Sequence, residues 1–246
     1  MGILETKIVN DKREIFGWAM YDWGNSAFST TVGTVFLAPY IANLAAEAAK
    51  ADFFMKTGTT WNAALSPALL ANFFGIFIAP DSFMGYCISL SVFLQVFLLP
   101  MLGAIADYSQ MRKRMMQIFA TIGAITTILM FFINGVYWWM GGFLFIIANL
   151  AFGAASVFYN AYLPDIASED QRDRVSSYGW AMGYMGGFLL LALNLAFFVF
   201  HAKLGVSADL AIRINLASAG VWWLGWSFIT WARLRSRRRE YLLQAC

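Results

Sequence analysis

Six stretches of this chain are apolar over a length that suits the interior of a bilayer, and they decide most of what it can fold into. A spanning helix needs about 20 mostly apolar residues at a rise of about 1.5 Å each. Ile15–Ile41, Ser82–Ala106, Met115–Phe132, Tyr137–Leu163, Tyr178–Phe200 and Leu210–Trp231 fit that requirement. None alternates polar and apolar residues as a half-buried strand does. The expected fold is therefore all-α, a polytopic membrane bundle of six helices. Composition agrees, with 60% hydrophobic and 13% charged residues, against about 45–50% and about 25% in soluble domains. The first stretch is too long for a signal-peptide core and lacks a small-residue cleavage pattern, so it is read as retained.

Charge placement orients the bundle. Thirteen of the 17 Lys and Arg fall on one side of six spans: Lys7, Lys12 and Arg13; Arg112, Lys113 and Arg114; Arg172 and Arg174; and Arg233, Arg235, Arg237, Arg238 and Arg239. Lys50, Lys56, Lys203 and Arg213 fall on the other. The bias predicts that both termini are cytoplasmic. Leu69–Ala79 is too short to span, and spanning would collapse this bias, so it reads as an interfacial or re-entrant part of a long outer loop, residues 44–81. Pro80 to Ser82 mark the start of the second helix. The domain reading is then an N-terminal cytoplasmic segment (1–14), a membrane bundle (15–232) and a basic cytoplasmic tail (233–246). That tail reads as solvated juxtamembrane charge, not as a nucleic-acid site.

The chemistry available is narrow. Cys87 lies in an apolar stretch, Cys246 is the last residue, and His201 is the single histidine. No disulfide framework, metal site or cofactor site is expected. Neither a His-Glu-x-x-His pair nor a Gly-x-Ser-x-Gly elbow occurs, so no catalytic residue is assigned and an enzyme is not expected.

The loop after the second span carries Gly103, Asp107, Arg112, Lys113 and Arg114. It resembles the signature loop between helices two and three of the major facilitator superfamily, with Tyr108 and Gln110 departing from the usual basic residue and glycine. Tyr21, Asp22 and Trp23 in the first span, with Gly24, Asn25 and Ser26 after them, resemble the vacuole-effluxer-like branch of that superfamily. So do Phe158 to Ile166 and the stretch from Arg172 to Trp180. The resemblance implies one half of a twelve-helix fold and a transporter of small solutes, amino acids being the substrates associated with eukaryotic members. The partners so implied are the lipid bilayer, a solute, and a second copy or second six-helix half. A bacterial inner membrane is the expected location. The arginine-rich tail resembles the start of the linker between two bundles, so the chain reads as a shortened relative.

Candidate site residues follow from polarity inside the spans. Asp22, Asn25, Ser26, Ser29 and Gly33 recur at helical spacing and form one polar stripe. A carboxylate at such depth costs about 2.5–3.5 kcal/mol on insertion scales, so it should face protein or water. The functional reading is a cavity wall where Asp22, Asn25 and Ser26 bind a proton or substrate; the alternative is a buried aspartate that holds the bundle closed. Tyr159 and Asn160 lie at similar depth and are candidates to complete the cluster, or to act as a gate. Asp165 is expected to pair with loop arginines. Gly179, Gly183 and Gly187 recur every four residues, a spacing suited to close helix packing. Trp222 and Trp226 read as packing residues before cavity residues. A non-transporting six-helix scaffold or channel subunit is the alternative function.

Overall fold

The computed structural model describes residues 9–63, 68–108 and 111–235, with backbone only at Asp107 and Tyr108. The basic run from Arg237 to Arg239 lies outside the described residues. Helix α1 spans Lys12–Ala27, and the Asp11 side chain caps it by accepting from the Arg13 amide. The chain stays helical through a nine-residue π-helical stretch, Phe28–Phe36, and then through α2, Leu37–Thr57. Pro39 gives a local reason for the wide turns. Its ring crowds the carbonyl four residues back and it donates no amide hydrogen, a conflict that a looser helix relieves.

The segment expected as an outer loop from residue 44 is therefore helical as far as Thr57. Hydropathy stops near Ile41, but an alanine-rich run follows, with Lys50 bonded to Glu47 and Lys56 to Asp52. Alanine and such spacings favour helix in water as well as in lipid. Further along, β1 (Ala71–Phe73) pairs antiparallel with β2 (Ile76–Ile78). Phe74 and Gly75 both have positive φ, the arrangement of a two-residue hairpin turn.

The remaining helices are α3 (Pro80–Tyr108), α4 (Arg112–Leu129), α5 (Trp138–Asn160), the short α6 (Leu163–Ile166), α7 (Arg172–Phe200) and α8 (Ala208–Arg233). Five helical stretches among the described residues are long and apolar enough to cross a membrane: Lys12–Thr57, Pro80–Ala106, Arg112–Phe132, Gly135–Ile166 and Glu169–Phe200. The expected sixth span lies within α8, which carries Arg213 near its start and is less apolar than the other five, with Asn215, Ser218, Ser227 and Thr230 along it. Helix α1 packs on α7 and α8, α4 packs on α5 and α8, and α3 packs on α5. Phe28, Phe158, Met116 and Trp223 fill the centre.

The starts of α1, α4 and α7 gather with the ends of α3, α5 and α8 at one end, which we call the basic end. Polar contacts tie it together. Asn10 accepts from the Ser168 amide and donates from its own amide to the Ile166 carbonyl. Glu14 is buried and accepts from the Arg235 amide, while the Arg235 guanidinium pairs with Asp11 at 2.8 Å. At the other end, the Tyr40 hydroxyl donates to Asp209 at 2.6 Å, and Asp209 pairs with Arg213.

Candidate functional site

Trp18, Asp22 and Ser26 stand four residues apart on α1 and so share one face. Gly179, Gly183 and Gly187 repeat the spacing on α7 and lie against that face. A Cβ added at Gly179 would press on the Trp18 ring and lie 3.0 Å from the Tyr159 hydroxyl. At Gly183 it would lie 2.9 Å from Ser26 Oγ and 3.2 Å from Asp22 Oδ2, and at Gly187 3.2 Å from the Ser26 carbonyl. Absent side chains on α7 thus make room for the polar side chains of α1. Gly186 lets the backbones meet, because a Cβ there would collide with the Trp23 carbonyl oxygen. Thr30 Oγ1 reaches the Gly187 carbonyl at 3.3 Å.

Asp22 is half-buried in this seam. It begins about 15 Å along the helix from Lys12, ten residues at about 1.5 Å each. Among the described residues its carboxylate has no hydrogen-bond or ion-pair partner. Tyr159, at the end of α5, stacks on Trp18 with ring centroids 4.3 Å apart and lies tilted against Tyr21 at 5.1 Å. The Trp18 indole donates to the Tyr159 carbonyl at 3.0 Å, which fixes the pair. The Tyr159 hydroxyl is buried and makes no hydrogen bond among the described residues.

The structure therefore brings Asp22, Ser26 and Tyr159 together. Asn25 turns inward, is 2% exposed, and leaves its amide oxygen unbonded near Tyr21. Asn160 is exposed and does not join the cluster. Ser29 is also exposed, beyond the point where the π-helical stretch begins. Trp222 donates to the Trp23 carbonyl at 3.3 Å and stacks with it, so this tryptophan packs the α1–α8 contact.

In the signature loop, Arg112 is buried and donates to Asp165 at 2.6 Å and to the Ala161 carbonyl at 3.0 Å. Its Nε donates to the Ala106 carbonyl. Lys113 donates to the Leu234 carbonyl at 2.6 Å, whereas Arg114 is exposed. Gly103 faces open space, so no close helix approach uses it within this bundle. The Asp107 carboxylate lies outside the described residues.

Two polar clusters escaped the sequence reading. Asn149 donates to Ser91 Oγ at 2.9 Å and Gln95 donates to the Asn149 carbonyl at 2.9 Å, joining α3 to α5. Asn215 donates to the Asn194 carbonyl at 2.9 Å and Ser218 to Asn194 Oδ1 at 3.1 Å, joining α7 to α8. Their signal was present: a lone amide in an apolar span seeks a partner. The π-helical stretch had only Pro39 as a hint.

Chemically, the seam offers a carboxylate and hydroxyls at depth. Such groups can accept hydrogen bonds from an ammonium, or take and release a proton.

Residues 10–244 match the family described as vacuole effluxer Atg22 like. A protein named uncharacterized MFS-type transporter YxiO, from Bacillus subtilis, is 28% identical over 208 residues, 84% of this chain and 43% of the relative. Autophagy-related protein 22 from Yarrowia lipolytica is 29% identical over 215 residues, 64% of this chain and 36% of that protein. Autophagy-related protein 22-1 from Penicillium rubens is 24% identical, covering 95% of this chain and 52% of its own. The chain spans about half, or less, of the length of these relatives. No solved structure matches it significantly.

Proposed function

Because this chain belongs to the vacuole effluxer Atg22-like family of multi-pass membrane proteins, we propose that it forms one six-helix half of a secondary transporter. In this reading α8 is the sixth span and both ends of the bundle's chain lie in the cytoplasm, as the charge bias favours. A bacterial inner membrane is the proposed location. The transported solute is small, and the family resemblance makes amino acids the first class to try. The supporting observation is the half-buried, unpartnered Asp22 against the Gly183 face of α7, beside Ser26 and Tyr159.

Transport needs a second wall. Facilitator sites lie between two bundles, and solutes pass as one bundle rocks against the other. We assign that wall to a second copy or to a second six-helix half. Radiotracer flux in proteoliposomes, with oligomeric mass measured on the same preparation, tests the reading. Flux of a labelled amino acid should accompany the two-bundle assembly and fall to background in Asp22→Asn. Flux unaffected by Asp22→Asn removes Asp22 from the site. An intact two-bundle assembly that carries no solute from a broad panel favours a scaffold or channel subunit instead.

A further inference from the structure

Besides the seam, the bundle carries two cavities on the side where α7 and α8 flank α1. The first, about 560 Å³, lies at the basic end between the starts of α1 and α7. Lys12 and Arg174 line it above an apolar floor that includes Ile15, Phe16, Val175 and Tyr178. Neither cation has an ion-pair partner among the described residues. Arg233 adds a third positive charge at the edge, its guanidinium 4.7 Å from the Phe16 ring centre. Among the described residues Asp170 is the one carboxylate in the lining, and it accepts from Gln171 at 3.0 Å. The second cavity is an apolar groove of about 670 Å³, lined by Leu190 of α7 and by Trp222, Trp226 and Ile229 of α8. It exists because α7 and α8 each pack chiefly on α1 and little on each other. Ile229 lies one helical turn from Arg233, so the groove approaches the basic end.

Depth matches the two cavities to two parts of one molecule. Helix α7 has 29 residues, hence about 43 Å of length, while the hydrocarbon core is about 30 Å thick. Its first turns, which carry Arg174 and Tyr178, therefore stand at headgroup level. The groove residues of α8 stand at acyl-chain level.

We propose that the two cavities hold one anionic phospholipid, with its phosphate between Lys12 and Arg174 and an acyl chain along the α7–α8 groove. Basic side chains at a bilayer surface attract anionic headgroups, and the excess of cations over Asp170 among the described residues favours a net negative lipid over a zwitterionic one. Phe16 and Tyr178 supply the apolar contact where headgroup meets chain. The proposal rests on the chain being a membrane protein, and it stands whether or not the bundle transports.

Native mass spectrometry of the purified chain tests this, with phosphatidylglycerol and phosphatidylcholine of identical acyl chains supplied in turn. Phosphatidylglycerol should be retained, and Lys12→Gln with Arg174→Gln should weaken retention about 25-fold, five-fold for each cation. Exchanging the two cations, Lys12→Arg with Arg174→Lys, should preserve retention, as should Lys50→Gln at the far end. Unchanged retention in the double Gln variant overturns the site. Should that variant fail to fold, the wild-type comparison decides, because equal retention of the two lipids also overturns it. Glycerol phosphate should not displace the lipid; displacement at equal concentration would show a free-anion site and sink the lipid assignment.

Discussion

At the residue scale, Asp22 and the glycines opposite it depend on each other. A carboxylate near the bilayer centre costs about 2.5–3.5 kcal/mol on insertion scales, so its persistence needs water or a polar partner. No partner is found among the described residues, and its half-exposure leaves water. In a background without Cys87 and Cys246, Asp22→Cys should react with small aqueous thiol reagents, while Ala27→Cys, at a fully buried position, should stay protected. Equal protection of both would reduce Asp22 to a structural role. The glycines give a second, separable expectation. At Gly186 a methyl group would strike backbone, the Trp23 carbonyl, which cannot rotate away. Gly186→Ala should therefore cost roughly 1–3 kcal/mol, as overpacking of a well-packed contact does. Gly103 lies inside α3 and meets nothing, so Gly103→Ala should not destabilise and should gain up to about 0.5–1 kcal/mol of helix propensity. Unfolding midpoints in detergent compare the two, and equal effects would contradict the assigned contact.

At the element scale, the ends of the helices are held by charge and their middles by shape. Arg112 ties the start of α4 to the end of α3 and, through Asp165, to α6. Both side chains are mostly buried, at 7% and 13% exposure. Breaking such a pair from one side costs about 3–5 kcal/mol. Arg112→Met alone should be severely destabilising, and adding Asp165→Leu should recover much of the loss. No recovery in the double variant would show that Arg112 acts through the Ala106 and Ala161 carbonyls instead. The Asn194–Asn215 clasp should matter less, since interhelical hydrogen bonds in membranes average about 0.6 kcal/mol. Hydropathy made the apolar helices legible because it reports what a bilayer accepts. It was silent where water takes over: Leu37–Thr57 continues on alanine propensity, and α7 begins at Arg172, six residues before its apolar run. Leu69–Ala79 was read as interfacial or re-entrant from its length and the charge bias, and the Phe74–Gly75 turn that makes it a hairpin needs backbone geometry to see. The seam was half legible. Four-residue spacing found Asp22, Ser26 and the α7 glycines, but helical spacing also placed Asn25 on the stripe, where packing turns it inward.

At the scale of the whole molecule, charge bears on orientation and open polar surface bears on pairing. The basic end gathers Lys12, Arg112, Arg174 and Arg235, so a cysteine introduced at Ser168 should be labelled only from the cytoplasmic side. Labelling from outside would invert the proposed topology. Completeness turns on two faces. Helix α3 presents Phe93, Phe97 and Met101, and α7 presents Trp180, Tyr184 and Phe188, the last two 70% and 71% exposed. Lipid can cover these side chains as well as protein can, so they alone demand nothing. The polar seam is different. Asp22 keeps open surface in the single bundle, and hydrocarbon offers no hydrogen bonds to it. Leaving it against lipid would cost about 2.5–3.5 kcal/mol on insertion scales. A second bundle would enclose the carboxylate around water instead and remove that cost. The bundle should therefore be found paired, with a second copy or a second half, and should not carry solute alone. Native mass measurement in nanodiscs beside flux decides this: a stable monomer that moves substrate would mean that one bundle can build both walls of a pathway, and that Asp22 opens onto water enclosed by α1 and α7 alone.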